Sequence, residues 1–280
     1  MRWTTALLAI FAPAAAMAAA PDMLVPIPPE TALPAAPGSG RLLIAGDSTA
    51  QGYGQERYPQ SGWGQYLACG LVSEAQVLNR AKAARSTRTF IAEGRWDQLM
   101  AESRPGDTVL IQFGHNDAAR NKPERFADPA TTFRDNLLRM VWETRGRQAV
   151  PVLVTPVIRR SIWEDGKAHA DFAEWSAVTR AVAAQTGTAL IDLEASSRTL
   201  VDSFGPEPAR ALYLHSAPGA WPAFPKGIDD DTHFSEIGAR RMAGLIAAGL
   251  AALPIPAARL VLPSRPDLER SAPLGNGQCH

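Results

Sequence analysis

Ser48 is the first residue in the chain with the makings of a reactive group. It follows the apolar run Arg41-Leu-Leu-Ile-Ala45 and the pair Gly46-Asp47, which places it on a tight turn at the end of a predicted strand. A hydroxyl held there is a weak nucleophile until a base takes its proton. The same serine would also serve as a helix N-cap. A base stands far along the chain, in Asp229-Asp230-Asp231-Thr232-His233-Phe234. Histidine titrates near neutral pH and suits general-base work. Asp230, three residues before His233, can lie on the same side of a turn and hold the ring in one tautomer. Asp229 and Asp231 read as solvated or turn-forming. The competing reading of this run is an acidic loop that caps a helix starting at Glu236. Asn116, after Gly114-His115, can aim its amide at a developing oxyanion or simply shape a turn.

These residues need a frame that brings them together. Short apolar runs predict strands at Arg41–Ala45, Gln76–Asn79, Asp107–Phe113, Ala149–Thr155 and Thr188–Asp192. Between and after them, Thr131–Arg147, Phe172–Gln185 and Glu236–Leu253 carry apolar residues at helical spacing. Strands alternating with helices predict an α/β fold, a three-layer α/β/α sandwich around a five-stranded parallel sheet of flavodoxin-like type. Ligands bind such sheets at the carboxyl ends of the strands. The turns after the first three strands hold Ser48, the Asn79–Ser86 stretch and Asn116, so all three would meet on one rim.

Lys and Arg number 28 and Asp and Glu 28. That balance argues against a nucleic-acid partner, which calls for a basic surplus. A hydrophobic share of 46% argues against disorder. Residues 1–20 read as a signal peptide: Arg2 precedes an apolar, alanine-rich run, and cleavage after Ala18 or Ala20 satisfies the small-residue rule. The expected product is exported, periplasmic or extracellular, with no membrane partner once the leader is removed. Residues 21–40 read as a Pro/Ala-rich linker, 41–253 as the folded domain, and 254–280 as a Pro-rich C-terminal tail. Cys69 and Cys279 are the two cysteines. In an oxidising compartment they pair, and otherwise Cys69 is buried and the tail thiol is free. Neither they nor any Cys/His cluster makes a metal site.

Gly46-Asp47-Ser48-Thr49, the Asn79–Ser86 stretch, Gly114-His115-Asn116-Asp117 and Asp230-Asp231-Thr232-His233-Phe234 resemble the four ordered blocks of the SGNH (GDSL-like) hydrolases. The GDST, GHND and D-x-T-H-F forms, with Gly62-Trp63-Gly64 and Pro218-Gly219-Ala220-Trp221-Pro222, are most similar to the rhamnogalacturonan acetylesterase branch. The resemblance implies Ser48 as nucleophile, His233 as base and then acid, and Asp230 as its orienter. It also implies an oxyanion hole made of the Ser48 N–H, the Ala84 N–H and the Asn116 amide. The family usually has glycine where this chain has Ala84. A backbone N–H survives that change, but a positive φ would cost alanine about 1–2 kcal/mol.

The activity implied is removal of acetyl groups from a plant cell-wall polysaccharide, rhamnogalacturonan or pectin, by a monomer that forms an acetyl-enzyme and uses no metal or cofactor. Arg85, Tyr213 and Trp221 are expected to touch the sugar. Acetylated xylan, lipid or thioester substrates, and a non-catalytic carbohydrate-binding role, are the alternatives. The Gly/Pro-broken segment before His233, in place of an apolar lid, favours a small acyl group.

Overall fold

The computed structural model describes Met1 and residues 39–160 and 163–280. The expected signal peptide beyond Met1, and the expected linker up to residue 38, lie outside the described residues. Among the described residues, no helix is long and apolar enough to cross a membrane.

Five strands form one parallel sheet: β1 (Arg41–Gly46), β2 (Gln76–Asn79), β3 (Thr108–Gln112), β4 (Val150–Val154) and β5 (Ala189–Ile191). Their order is β2-β1-β3-β4-β5. Each strand is a short aliphatic run, and alternate side chains leave opposite faces. Leu42 and Ile44 of β1, with Leu110 of β3, enter one buried layer. Leu43 and Ala45, with Val109 and Ile111, enter the other. A sheet covered on both faces needs apolar residues at consecutive positions, as β1 and β3 have.

On the first face lie α5 (Leu193–Phe204) and α6 (Glu236–Ala251), through Val201, Met242, Ile246 and Leu250. On the second lie α1 (Thr87–Ala92), α2 (Arg95–Glu102), α3 (Arg134–Gly146) and α4 (Ala173–Thr186), through Phe90, Leu99, Val141 and Val182. The helix expected over Thr131–Arg147 starts later, at Arg134. A π-helical turn at Pro129–Phe133 precedes it, and Asp128 caps that turn by accepting from Ala130 N and Thr131 N.

A two-stranded antiparallel hairpin, β6 (Tyr213–Ser216) and β7 (Ile228–Phe234), carries the acidic run, with a bulge beside Tyr213 and Leu214. The C-terminal residues pack on the domain through 3₁₀ turns at Pro256–Leu260 and Pro266–Leu268, with Leu268 buried. Cys69 and Cys279 form a disulfide, Cα atoms 5.1 Å apart.

Candidate active site

The turn after β1 is built by its own side chains. Asp47, fully buried, accepts through Oδ1 from the Thr49 N–H at 2.9 Å and the Thr49 hydroxyl at 2.8 Å. Its Oδ2 faces His115 Nδ1 at 3.5 Å. Burial works to raise the Asp47 pKa. The His115 ring and the Thr49 donors outweigh it and hold the carboxyl below the usual range. Tyr53 donates its hydroxyl to the Ser48 carbonyl at 2.9 Å. Burial and the charge of Asp47 push that phenol up, so it stays a donor.

Ser48 lies where β7 can reach it. Its Oγ is 2.9 Å from His233 Nε2. His233 Nδ1 is 2.7 Å from Asp230 Oδ2. With Nδ1–H donating to the carboxylate, Nε2 is left to accept the serine proton. Asp230 Oδ1 accepts from Thr232 N at 2.7 Å and His233 N at 3.0 Å. Burial raises the Asp230 pKa, but the His233 hydrogen bond, its charge and the two backbone donors prevail, and the carboxyl sits well below the usual range. The structure thus joins Ser48, His233 and Asp230 in one hydrogen-bonded chain. The rest of the acidic run is not loose. Asp231 pairs with Arg160 at 2.6 Å and with His215 Nε2 at 2.9 Å. Asp229 pairs with His215 Nδ1 at 2.5 Å.

Two further turns meet this one. Gly114, at φ 144°, lies so close to Pro156 that a Cβ would come within 2.7 Å of its ring. The turn behind it presents Asn116, whose Nδ2 donates to the Arg85 carbonyl at 3.1 Å. One amide hydrogen is thereby fixed and the other is left for a ligand. In the second turn, Ala83 N donates to Gln51 Oε1 at 2.5 Å and Arg85 N to Lys82 O. Between them Ala84 stands at φ 65°. Among the described residues, neither the Ser48 nor the Ala84 N–H has an acceptor. Asp117 ties the two turns together, accepting from Thr87 N at 2.9 Å and Thr87 Oγ1 at 2.6 Å. Burial, with a smaller push from Asp47, raises its carboxyl pKa to about 7.

The expected sugar contacts fare unequally. Tyr213 is buried, and its hydroxyl donates to the Ile158 carbonyl at 3.1 Å. It packs against Phe234 inside the core. That corrects its assignment as a sugar contact: its aromatic face is spent on the hairpin's own burial. Arg85 is half-buried, with Nε held by both oxygens of Glu93 at 2.9 and 3.1 Å. Trp221 is half-buried, its ring edge-to-face with Tyr58 at 5.0 Å. Tyr53, Gln51 and Asp117 were not singled out from the sequence. Tyr53 and Gln51 lie within five residues of Ser48, and Asp117 adjoins Asn116, so nearness in the chain was the available signal.

The sequence profile of the GDSL-like Lipase/Acylhydrolase family matches residues 44–241. The chain is 36% identical over 227 residues to a probable rhamnogalacturonan acetylesterase, YesY, of Bacillus subtilis, covering 81% of this chain and 100% of that one. It is 37% identical over 216 residues to the rhamnogalacturonan acetylesterase RhgT of the same organism, covering 77% and 91%. Among solved structures, an acetylxylan esterase, Axe2, of Geobacillus stearothermophilus shares the fold, with TM-score 0.55, 19% identity, and 76% and 94% of the two chains covered. The serine turn, the sheet that carries it and the extent of these matches lead to one placement: this chain belongs to the GDSL-like lipase/acylhydrolase family.

Proposed function

We propose that the protein is an exported serine esterase that removes acetyl groups from an acetylated plant cell-wall polysaccharide, rhamnogalacturonan in the first place. The observation that carries this reading is the hydrogen-bonded chain Ser48–His233–Asp230, with links of 2.9 and 2.7 Å. The 36–37% identity to rhamnogalacturonan acetylesterases over most of the chain supports the substrate class. The disulfide fits an oxidising compartment.

In this reading Ser48 Oγ attacks the acetyl carbonyl carbon while His233 Nε2 takes its proton. The carbonyl oxygen becomes an oxyanion facing the Ser48 N–H, the Ala84 N–H and the second Asn116 amide hydrogen. Asp230 holds the imidazolium without taking the proton. The tetrahedral species collapses, the C–O bond to the sugar breaks, and His233 returns the proton to the sugar oxygen. Water then attacks the acetyl-enzyme by the same route, and acetate leaves. Metal and cofactor are not needed for any step, and one chain supplies every group named.

Acetate release from acetylated rhamnogalacturonan, beside acetylxylan and butyryl esters, tests this. The expected order is rhamnogalacturonan acetate first. Ser48→Ala should lower turnover by about 10³-fold or more with the fold intact. Release of butyrate faster than acetate, or a Ser48→Ala variant near wild-type rate, would overturn the assignment.

A further inference from the structure

Gln51 and the stretch Gly62-Trp63-Gly64 take no part in the ester chemistry above, yet both bear on the turn that carries Ala84. At φ 65° an alanine keeps its conformation only where the surroundings over-determine it. The groups on either side of Ala83 do so here.

The Ala83 N–H donates to Gln51 Oε1 at 2.5 Å. The Ala83 carbonyl accepts from Arg85 Nη1 at 3.0 Å. That carbonyl and the Ala84 N–H belong to one planar trans peptide, so they point in opposite directions. A guanidinium on the carbonyl therefore fixes the direction of the Ala84 N–H. Arg85 is itself held, its Nε donating to both oxygens of Glu93. Of the two peptide units that flank Ala83, Gln51 grips the first and Arg85 the second.

Gln51 can act as a fixed arm because its own backbone is fixed. It follows Ser48 by three residues, and its N–H donates to the Asp47 carbonyl at 3.1 Å. Gly62 lies so close that a Cβ there would collide with the Gln51 carbonyl and N–H. Gly64 lies in the same way against the Ala50 carbonyl. Trp63 donates its backbone N–H to the Thr49 carbonyl at 2.9 Å and its ring Nε1 to Gln112 Oε1 at 2.7 Å. Gly62-Trp63-Gly64 is thus a backbone rail along residues 49–51, and the Gln51 side chain crosses from that rail to the second turn. We propose that Gln51 and Arg85 are positioning residues, a clamp that keeps the Ala84 N–H turned toward the oxyanion of the ester on Ser48. The proposal rests on the serine-esterase reading given above. It gives Arg85 a task other than the sugar contact expected from the sequence.

Kinetics on p-nitrophenyl acetate, which carries no sugar, test the clamp. Gln51→Met keeps an unbranched side chain of similar length and removes the acceptor. Loss of a whole oxyanion donor costs about 10²–10³ in kcat, so a donor left unclamped should cost about tenfold or more. KM should stay within about twofold, as for an interaction made only in the transition state. Arg85→Met should lower kcat on this ester in the same way. A sugar contact would leave this ester alone and raise KM on polysaccharide. Glycine enters the left-handed region freely, so the penalty of Gln51→Met should shrink to about threefold or less in the Ala84→Gly background. A residue that only stabilised the fold would show no such shrinkage. Methylboronic acid, which forms a tetrahedral adduct with a serine hydroxyl, reads the same site without turnover. Its affinity should fall in Gln51→Met by the same factor as kcat/KM. Should Gln51→Met fail to fold, Arg85→Met in both backgrounds carries the test. Wild-type kcat and boronate affinity in these variants, or an equal penalty in both backgrounds, overturns the clamp and leaves the proposed function standing. A penalty as expected, with no acetate released from any polysaccharide, keeps the clamp and refutes the proposed substrate. Turnover that survives Ser48→Ala refutes both.

Discussion

Ala84 occupies a conformation that L side chains resist. At φ 65° its Cβ crowds the neighbouring carbonyl, a cost of about 1–2 kcal/mol that glycine escapes. Glycine adds chain entropy to the unfolded state, about 0.5–1 kcal/mol against it. Ala84→Gly should therefore hold stability level or raise it by up to about 1.5 kcal/mol, with the N–H kept in place and turnover undiminished. Urea unfolding and acetyl-ester kinetics on the variant check both halves, and a clear destabilisation would mean that the strain is not there. The part proposed for this residue was legible only through its place in the second block. Its backbone angle was not, because nothing in Ala83-Ala84-Arg85 marks a left-handed turn. Tyr213 shows the opposite error. An aromatic near the site looked like a sugar platform, yet half-buried Trp221 and deeply buried Tyr213 are alike as residue types. Burial separates them, and burial is decided by how the hairpin packs.

Among the elements, the turns behind α1 and β3 depend on one another. Asn116 is fixed by the Arg85 carbonyl, Thr87 by Asp117, and Asn136 Nδ2 reaches Thr87 Oγ1 at 3.0 Å. Asp117 thus ties together the two turns that carry Asn116 and Ala84, two of the three oxyanion donors proposed above. Its folded pKa of about 7 lies above the roughly 3.9 of an unfolded aspartate. The folded state keeps a proton that the unfolded state has released, so this contribution is full below about pH 4 and is lost as pH rises to about 7. Asp117→Asn, which carries no titrating proton, should gain stability relative to wild type across that window, by up to about 4 kcal/mol at its upper end. Chemical denaturation at pH 4, 5.5 and 7 measures the difference, and a constant gap would refute the buried-proton account. The five strands and the three longest helices were legible because aliphatic runs and 3.6-residue spacing announce them. Helices α1 and α2 were not, being six and eight residues long and parted by Gly94 at φ 70°. Strand β7 was hidden because three consecutive aspartates are poor strand formers. It forms since Arg160, distant in sequence, and His215, on the facing strand β6, answer the charges of Asp231 and Asp229.

Across the whole molecule, the C-terminal residues close the domain over a buried ion pair. Glu236 and Arg240, 1% and 0% exposed, pair at 2.9 Å. Glu236 accepts from Tyr58 Oη at 2.8 Å, Leu274 N at 2.8 Å and Gly275 N at 2.9 Å. Arg240 donates to the Asp267, Gln278 and Cys279 carbonyls and stacks over Tyr66 at 4.2 Å. A buried pair survives only with its remaining donors and acceptors satisfied, and here the C-terminal segment satisfies them. The proline content of 254–280 rules out a long helix, but it leaves room for 3₁₀ turns and for this clasp. Composition alone could not show it, because the partners lie in Tyr58, Glu236 and Arg240. The disulfide closes a loop with a sequence separation of 210, a constraint on the unfolded chain of about 5 kcal/mol in the entropy picture.

That bridge also decides what a cut chain can still do. The connection between β6 and β7 exposes residues 217–220 and Lys226, an inviting place for trypsin. Cleavage after Lys226 leaves Ser48 in one fragment and Asp230 with His233 in the other. Cys69 travels with the first and Cys279 with the second, so the two fragments remain a single covalent body. Trypsin-nicked protein should run as one band without reductant and as two with it. Separation without reductant would show that the bridge is not formed. Ser48 and His233, divided by the protease, stay leashed to each other through sulfur at the far side of the domain.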